Sequence, residues 1–359
     1  MSEEKLVPKL RFSGFDDEWK TYKLKDLLHN KSSSISINQL DDNVGNYPLY
    51  GASGFLKCID FYEMDVDYIS IVKDGSVGNL SFHEKNTSVV NTSQYILPKE
   101  NLNIHFIFYL LQTINLNKYK TGSTIPHIYF KDYSIEKVKI PKYDEQKKIG
   151  ILLKNLDAKI EILDNKLQMC QNFKKYLMQQ IFTQKLRFNF DDEWKQYKLK
   201  DVLTVKSSSI SINQLEENTG DYPLYGASGF LKNIDFCEMD VDYISIVKDG
   251  SGVGNLSFHE KNSSIVNTSQ YLLPKKNFNI NFLYYLLQTI NLMKYVNGSS
   301  IPHIYFKDYC IEKINIPSLD EQEKIGKLFV DVDITMENLN KNINATQEFK
   351  KGLLQQMFV

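Results

Sequence analysis

Long apolar runs are missing from this 359-residue sequence. No stretch approaches the roughly 20 consecutive apolar residues that a transmembrane helix needs. Residues 1–6 (MSEEKL) also lack the apolar core of a secretory signal peptide. We therefore expect a cytoplasmic protein. The length exceeds what one hydrophobic core requires, which favours two domains with connecting elements.

An excess of positive charge is missing as well. The 43 lysine and arginine residues are balanced by 44 acidic residues, and the formal net charge is −1. Domains that hold nucleic acid through bulk electrostatic attraction are usually basic. The balance argues against that mode of binding, but it leaves room for local basic surfaces or for a partner that supplies positive charge.

Cysteine is scarce. The four cysteines are Cys58, Cys170, Cys237 and Cys310, and none belongs to a Cys-x-x-Cys pair. This number and spacing argue against a disulfide framework and against a zinc site. We expect buried free thiols instead.

Two motifs of catalytic chemistry are absent. The sequence has no Gly-x-x-x-x-Gly-Lys-Ser/Thr loop, which excludes an ATP site of that kind. It also has no Pro-Pro pair, so it lacks the Asp/Asn-Pro-Pro-aromatic loop with which a DNA methyltransferase holds a flipped base. We expect a chain that is not an enzyme and that binds neither a metal nor a cofactor of its own.

The sequence is an internal tandem repeat. Residues 19–26 (WKTYKLKD) return as residues 194–201 (WKQYKLKD), and residues 47–57 (YPLYGASGFLK) return without change as residues 222–232. The second copy contains one extra residue, Gly252, and no cysteine has a cysteine at the equivalent position of the other copy. A tandem duplication of this extent predicts two copies of one module, and a function that involves two copies of one target.

Each copy begins with a mixed α/β (α+β) globular part. Residues 68–72, 79–82, 94–97 and 135–141 are rich in β-branched and aromatic side chains and are bounded by Gly, Asn or Pro, which predicts strands. Apolar residues at helical spacing predict a buried helix over residues 104–116. The glycine-rich segment 73–78 is interpreted as a turn between strands, because the second copy tolerates an insertion there.

A long helix with an apolar seam ends each copy. Residues 144–182 contain no proline and a single glycine, Gly150, and apolar side chains recur there at seven-residue intervals in two interleaved series. This periodicity predicts a coiled coil of about 58 Å. The seam residues are Ile149, Leu153, Leu156, Ile160, Leu163, Leu167, Leu177 and Ile181 in the first copy, and Ile325, Phe329, Val332, Met336, Leu339, Ile343, Leu353 and Met357 in the second.

Two seam lysines indicate how the helices pair. In a parallel pair in register, Lys174 would face Lys350, and the two charges would repel each other with little solvent to screen them. We therefore expect an antiparallel pair, in which each lysine lies near the first turns of the other helix. Helices that cap only their own modules, or that join two chains into a homodimer, would show the same periodicity, because an apolar heptad pattern does not specify which helix it packs against.

The candidate binding residues are small polar side chains interleaved with aromatics and lysines. Such groups can bind base edges and phosphates, although a solvated loop would contain the same residues. They are Lys31, Ser33, Tyr50, Ser53, Lys73, Asn91, Thr92, Ser93, Gln94, Ser123, Thr124, His127, Tyr129 and Lys131 in the first copy, and Lys206, Ser208, Tyr225, Ser228, Lys248, Asn267, Thr268, Ser269, Gln270, Ser299, Ser300, His303, Tyr305 and Lys307 in the second.

One loop contains serine, histidine and aspartate close together. Residues 122–132 (GSTIPHIYFKD) could be interpreted as the triad of a hydrolase. A triad also needs a nucleophile on a strained turn and an oxyanion hole, and proximity along the chain indicates neither. We favour a loop whose polar side chains point outward and bind.

The order of four segments resembles the DNA-specificity subunit of type I restriction–modification systems. In the first copy they are Trp19 with Leu24 and Asp26, residues 50–54 (YGASG), residues 122–132, and Ile140-Pro141 leading to residues 145–149 (EQKKI). The second copy has Trp194, residues 225–229, residues 298–308, and Ile316-Pro317 leading to residues 321–325 (EQEKI). Each motif alone is loose, but the order occurs twice, each time before a heptad helix.

The resemblance implies two α/β target-recognition domains, separated by an antiparallel pair of long helices and related by a pseudo-two-fold axis. The domains would be residues 1–143 and 183–319, and the helices residues 144–182 and 320–359. In such systems each domain reads one half of a bipartite DNA site. The subunit recruits two modification subunits, which methylate adenine with S-adenosylmethionine, and restriction subunits, which use ATP and Mg²⁺ to translocate on DNA and cleave it.

Two nearly equal readers lead to a prediction about the target. Members of the resembled family usually have two different recognition domains, whereas the two copies here are nearly the same. Equal readers related by a two-fold axis contact opposite strands, so we expect a near-palindromic, bipartite site with a nonspecific spacer. Gly252 could make the two halves unequal. The alternative is a non-catalytic tandem scaffold for a ligand other than DNA, and a system that only methylates would have the same sequence features.

Overall fold

The computed structural model describes residues 7–40, 43–215, 219–298 and 301–359. The chain divides into two compact units. The first unit is Met1–Asp164 together with Lys341–Val359, and the second is Asn165–Asn340. Each unit therefore contains residues from both copies of the repeat. Within the described ranges, no helix is long and apolar enough to cross a membrane.

The first unit is built from short strands and helices around two sheets and one strand pair. Its strands are β1 (Lys20–Lys23), β2 (Leu28–Ser32), β3 (Tyr47–Gly51), β4 (Gly54–Ile59), β5 (Tyr68–Val72), β6 (Leu80–His83), β7 (Ser88–Val89), β8 (Ser93–Pro98) and β9 (Lys137–Ile140). Its helices are α1 (Leu24–Leu27), α2 (Ile104–Thr113) and α3 (Phe130–Tyr133), followed by the long α4 (Tyr143–Phe182), which continues into the second unit.

The main sheet has the order β2-β8-β5-β6, and its neighbouring strands are antiparallel. The strands predicted at 68–72, 79–82 and 94–97 are confirmed as β5, β6 and β8, and the predicted helix begins at Ile104 as α2. All five residues of β5 are buried, as expected for a central strand of β-branched and aromatic residues. The turn after β5 connects two adjacent antiparallel strands, β5 and β6, in agreement with its interpretation as a turn.

The smaller sheet has the order β4-β3-β7. Strands β3 and β4 form a hairpin in which Gly51 faces Gly54 across the turn residues Ala52 and Ser53. Gly54 has a φ of +115°, a conformation that favours glycine. Strand β7 runs parallel to β3. The remaining two strands, β1 and β9, form a separate antiparallel pair.

The second unit repeats this arrangement in the same order. Its strands are β10 (Lys195–Lys198), β11 (Leu203–Ser207), β12 (Tyr222–Gly226), β13 (Gly229–Ile234), β14 (Tyr243–Val247), β15 (Leu256–His259), β16 (Ser264–Ile265), β17 (Ser269–Pro274) and β18 (Lys313–Ile316). Its helices are α5 (Leu199–Val202), α6 (Ile280–Gln288) and α7 (Phe306–Tyr309), followed by α8 (Leu319–Met357). The sheet orders, β11-β17-β14-β15 and β13-β12-β16, are those of the first unit.

The long helices α4 and α8 have the heptad burial that the sequence predicts. Every seam residue is buried or half-buried, and the positions between them are mostly exposed. In the first unit, Ile149 and Leu153 from the first turns of α4 share a core with Leu353 and Met357 from the last turns of α8.

The second unit shows the reciprocal arrangement. There, Leu177 and Ile181 from the end of α4 share a core with Ile325 and Phe329 from the start of α8. In each unit the beginning of one helix thus packs with the end of the other, and the pairing is antiparallel, as expected.

The seam lysines are neutralised by acidic residues rather than placed opposite each other. In the first unit, Nζ of Lys350 lies 2.5 Å from a carboxylate oxygen of Asp157, and the Tyr109 hydroxyl donates to the other oxygen at 2.6 Å. The second unit repeats this contact with Lys174 and Asp333, whose atoms are 2.6 Å apart. Charge pairing of this kind removes the repulsion that a parallel pair would impose.

The single glycine near the start of each long helix allows a close approach. A Cβ on Gly150 would lie 2.6 Å from Oδ1 of Asn103 and 2.9 Å from the backbone nitrogen of Phe106. These atoms form the N-terminal cap of α2, where the Asn103 side chain accepts a hydrogen bond from that nitrogen at 3.0 Å. Gln146 fixes the same cap, because its side-chain oxygen accepts from the Asn103 nitrogen. The glycine lets α4 pack directly on the start of α2.

An aromatic cluster shows that each globular part is completed by a helix end from the other copy. Trp19 is 1% exposed, and its ring lies 5.9 Å from Phe106 and 6.4 Å from Phe358, the residue that directly follows α8. In the second unit, Phe182 at the end of α4 packs on Phe282 at 5.7 Å. The helix that follows one copy of the repeat therefore contributes to the core of the other.

A buried ion pair joins the N-terminal segment to the start of α4. Both carboxylate oxygens of Glu145 accept hydrogen bonds from the Arg11 guanidinium, at 2.7 and 2.8 Å, and Glu145 is 1% exposed. Arg187 and Glu321 make the equivalent two-pronged pair in the second unit. Such bidentate pairs fix orientation as well as charge.

Candidate nucleic-acid interface

Three of the predicted binding segments lie at one end of the main sheet. Strand β2 ends at Ser32, which pairs with Gln94 near the start of β8. Strand β5 ends at Val72, which pairs with Ser93. Residues 31–34, 73–76 and 91–94 are therefore neighbours, although they are far apart in the sequence.

The hairpin between β3 and β4 adjoins this end of the sheet. The Val90 nitrogen donates to the Tyr50 carbonyl at 3.0 Å, and the Asn91 nitrogen donates to the Ile35 carbonyl at 2.7 Å. Because β3 and β7 run parallel, the hairpin tip at Ala52 and Ser53 extends in the same direction as Asn91.

The loop that contains His127 closes the surface from another side. The Gly75 nitrogen donates to the Pro126 carbonyl at 3.1 Å, and the Ile128 nitrogen donates to the Lys73 carbonyl at 2.9 Å. The Lys73 nitrogen in turn donates to Thr92 at 2.8 Å. We call the surface formed by residues 31–34, 50–54, 73–76, 91–94 and 121–131 the sheet-end surface of the first unit, and its counterpart the sheet-end surface of the second.

The predicted residues differ in their exposure on this surface. Lys31, Ser53, Asn91, Ser123, Thr124, Tyr129 and Lys131 are exposed, whereas Tyr50, Lys73, Thr92 and His127 are half-buried. Ser33, Ser93 and Gln94 are buried. The Ser33 hydroxyl donates to the Val89 carbonyl at 2.5 Å, so its observed contact holds the segment in place. The exposed and half-buried residues are the stronger candidates for contact with a ligand.

The second unit presents the same groups. Lys206, Ser228, Asn267, Thr268, Tyr305 and Lys307 are exposed, Tyr225, Lys248, Gln270 and His303 are half-buried, and Ser208 and Ser269 are buried. Ser299 and Ser300 lie outside the described residues. Two copies of one surface are thus carried by one chain.

An exposed tyrosine ring with a lysine and a histidine beside it marks each sheet-end surface. Tyr129 is 43% exposed. The Lys131 ammonium lies 5.4 Å from the centre of its ring, and the His127 ring stacks at 6.3 Å. In the second unit, the Lys307 ammonium lies 5.3 Å from the centre of the Tyr305 ring. Lysines beside exposed aromatics and amides provide donors for phosphate oxygens and for base edges.

Sequence reasoning missed a carboxylate that organises the surface. Glu63 accepts hydrogen bonds from the backbone nitrogen and the hydroxyl of Ser34 and from the Tyr95 hydroxyl, at 3.1, 2.5 and 2.7 Å. Burial acts to raise the pKa of Glu63, but these hydrogen bonds outweigh it, and the pKa is lowered overall. Glu238 has the equivalent position and the same direction of pKa shift. The sequence does show a glutamate at this position in both copies of the repeat, but most positions are identical in the two copies, so this identity did not single it out.

A buried histidine lies beneath the hairpin. The His83 ring stacks on Tyr68 at 4.9 Å, and its Nε2 is 2.9 Å from the Ser70 hydroxyl. Burial lowers the pKa of His83 to about 4, so the ring is neutral at pH 7. His259 has the same surroundings and the same lowered pKa in the second unit. These rings support the hairpin residues Tyr50 and Tyr225.

The linear Ser/His/Asp pattern of the loop is not the pairing that the structure contains. Nδ1 of His127 lies 2.6 Å from Oδ1 of Asp74, a residue on another loop. Asp132 lies within α3 instead, next to Lys131 in the sequence. Among the described residues, no group of three or more His, Cys, Asp and Glu side chains could hold a metal ion.

Comparison with known proteins identifies both copies. The family described as the type I restriction modification DNA specificity domain matches residues 16–170 and again residues 191–347. A putative type I specificity subunit from Mycoplasma pneumoniae is 23% identical over 355 residues, which cover 94% of this chain and 95% of the relative. One from Mycoplasma genitalium is 22% identical over 381 residues and covers 98% of this chain and 97% of the relative.

Solved structures share the fold. The crystal structure of a type I restriction–modification S subunit from M. genitalium matches with a TM-score of 0.80 and 19% identity, over 98% of this chain and 99% of that one. A second structure, from work on complex assembly and conformational transition of a type I system, matches with a TM-score of 0.52 and 14% identity, over 96% and 98% of the two chains. The chain, with two specificity domains in tandem, belongs to the type I restriction–modification DNA specificity family.

Proposed function

We propose that this chain is the DNA-recognition subunit of a type I restriction–modification complex, and that each sheet-end surface reads one half of a bipartite site. The observation that carries the proposal is the repetition of one surface. Each unit places equivalent lysine, tyrosine, amide and hydroxyl groups at the equivalent end of its own main sheet. A ligand with two equivalent halves suits such a chain, and double-stranded DNA with an inverted repeat has them.

The chemistry of the surface suits DNA. Half-buried Lys73 and exposed Lys131 are donors to phosphate or guanine, and exposed Asn91 can bind adenine through two hydrogen bonds. The chain as a whole carries a net charge of −1, so its own electrostatic attraction for DNA is weak. We therefore propose that tight binding requires partner subunits that add positive charge around the DNA.

The target that we propose is near-palindromic. The surface residues are nearly identical in the two units, and readers of equal preference that face opposite strands select an inverted repeat with a spacer. The domains that read it are those expected from the sequence, residues 1–143 and 183–319, with the helical segments 144–182 and 320–359 between and after them.

We propose that all chemistry belongs to the partners. Two modification subunits would methylate adenine with S-adenosylmethionine, and restriction subunits, where the system has them, would use ATP and Mg²⁺ to translocate and cleave. This chain would supply recognition without catalysis and without a cofactor of its own. The assembled complex would act in the cytoplasm, where its DNA substrate lies.

A binding experiment tests the role of the surface. The complex of this chain with the modification subunit of its own locus is used to select fragments from a library of random double-stranded DNA, and the affinity for the selected site is measured over a range of salt concentrations. Lys131→Ala with Lys307→Ala should weaken binding and reduce the slope of log affinity against log salt by about one for each phosphate that is no longer neutralised. The matched control is Lys137→Ala with Lys313→Ala, which removes two exposed lysines outside the sheet-end surfaces.

The outcomes separate DNA recognition from the alternative of a tandem scaffold for another ligand. Selection of a bipartite motif, with weaker binding specific to the first pair of variants, supports recognition of DNA by these surfaces. A stable complex that enriches no motif would contradict it and favour the scaffold.

A further inference from the structure

The extra residue Gly252 changes one turn on the sheet-end surface of the second unit. In the first unit the Val77 nitrogen donates to the Gly75 carbonyl at 2.8 Å, which closes a turn of three residues. In the second unit Val253 donates to Gly250 at 3.1 Å, which closes a turn of four. A Cβ on Gly252 would lie 3.5 Å from the Ala227 side chain, so the added residue fills space beside the hairpin tip.

The backbone on both sides of this turn is the same in the two units. The backbone of Asp74 forms an isolated antiparallel β-bridge with that of His127, and the backbone of Asp249 forms the same β-bridge with that of His303. The strand-end lysine donates its backbone nitrogen to Thr92 or Thr268 at 2.8 Å in both cases. The insertion therefore leaves the surrounding scaffold in place, and its effect is confined to the loop.

The aspartate of this loop nevertheless changes its partner. In the first unit, Oδ1 of Asp74 lies 2.6 Å from Nδ1 of His127. In the second unit, Oδ2 of Asp249 lies 3.7 Å from the ammonium of its own neighbour, Lys248. Nδ1 of His303 instead faces the Ile301 carbonyl at 3.3 Å.

The exchange alters which cation is available to DNA. Within the described residues, the Lys73 ammonium has neither an ion-pair partner nor a hydrogen-bond acceptor, so it can donate to a guanine or to a phosphate. The Lys248 ammonium lies close enough to the Asp249 carboxylate for the two opposite charges to pair, which offsets part of its positive charge. The two surfaces, nearly identical in sequence, thus differ at one cation.

We infer that the two halves of the target are unequal at one base pair. Lys73 reads a guanine in the first half-site, whereas Lys248, which is paired with Asp249, does not select guanine at the equivalent position of the second. The inference rests on the proposed function, since it assigns specificity to the same surfaces. The first half-site should favour guanine at this position by about tenfold, which is within the range for a base contact. The second half-site should be degenerate there.

Two variants make the readers equal by independent routes. Deletion of Gly252 restores the three-residue turn of the first unit and should return Asp249 to the histidine. Asp249→Asn keeps the turn but removes the carboxylate charge that holds Lys248. The converse variant, insertion of one glycine between Ser76 and Val77, should relax the first half-site. Each chain is expressed with the modification subunit of its locus, and adenine methylation is mapped across a genome by single-molecule sequencing.

The expected result is a wild-type motif with one unequal position, which becomes symmetric in both the Gly252 deletion and Asp249→Asn. Co-purification of the modification subunit shows that each variant has folded, and Asp249→Asn tests the charge where the deletion fails to assemble. Identical half-sites in the wild type would overturn the inference and leave the proposed function intact, as would an unequal position that persists in Asp249→Asn. Absence of any motif from an intact wild-type complex would overturn both.

Discussion

Shortening the Met357 side chain should destabilise the first unit, most of whose residues lie far from Met357 in the sequence. Met357 belongs to the second copy of the repeat, but its side chain lies in the core of the first unit and is 2% exposed. Replacing a buried methionine with alanine removes its packing and leaves a cavity, at a cost of about 2–5 kcal/mol. We therefore expect Met357→Ala to weaken the first unit, although residues 19–143 of that unit are unchanged.

Hydrogen exchange measures this effect separately in each unit. Where amides exchange through opening of a whole unit, a loss of about 2–5 kcal/mol accelerates exchange roughly thirtyfold to a few thousandfold. The acceleration should appear in the buried strand β5 of the first unit and be much smaller in β14 of the second. Ile181→Ala, which removes a side chain that is 2% exposed in the core of the second unit, should show the reverse.

A control and a contradicting outcome complete this experiment. Ile162 lies on α4 and is 54% exposed, so Ile162→Ala should change neither unit by more than about 0.5 kcal/mol. Equal acceleration of β5 and β14 in Met357→Ala, or a larger acceleration of β14, would refute the exchange of helix ends between the two copies.

Two further perturbations test the buried polar groups. Arg11→Ala leaves the carboxylate of Glu145 buried and without its guanidinium partner, so the free energy of unfolding measured with urea should fall by about 3–5 kcal/mol. The double variant Arg11→Leu with Glu145→Leu should recover part of this loss. A double variant as unstable as Arg11→Ala would contradict this account. Burial lowers the pKa of His83 and of His259 to about 4 from 6.5, so the unfolded chain binds more protons between these values. Each neutral ring therefore contributes roughly 3 kcal/mol to the free energy of unfolding, and this contribution is present above pH 6.5 and lost as pH falls toward 4. His83→Phe with His259→Phe should flatten the pH dependence of the free energy of unfolding, measured with urea, in this window. An unchanged pH dependence would contradict this account.

The helices and strands were largely predictable because their signals are local. The heptad series predicted a long helix over residues 144–182, and α4 spans Tyr143–Phe182. The strand predicted at residues 68–72 is β5, Tyr68–Val72. The charges of Lys174 and Lys350 predicted the antiparallel direction, because like charges in a seam repel.

The partners of those lysines were not predictable. They are Asp157 and Asp333, which lie outside the two apolar series of the seam. Their selection depends on the axial stagger of the helices, and a heptad pattern does not specify stagger. The same holds for the packing of Phe358 on Trp19.

The binding segments could be recognised one by one, but their assembly could not. Small polar residues between strands indicate loops that bind, whereas the strand order β2-β8-β5-β6 brings them to one end of the sheet. Pairing of His127 with Asp74 follows from that topology, and Asp132 was closer in the sequence. Burial of Ser33 likewise depends on the Val89 carbonyl, which only the folded chain places beside it.

The central claim is that one chain carries two nearly equal DNA readers. The most direct measurement is a genome-wide map of adenine methylation made by this chain with the modification subunit of its own locus. The account predicts one bipartite motif whose halves form an inverted repeat, equal at all but one position, with a spacer of fixed length. Two unrelated half-sites, or methylation without a fixed gap, would contradict it.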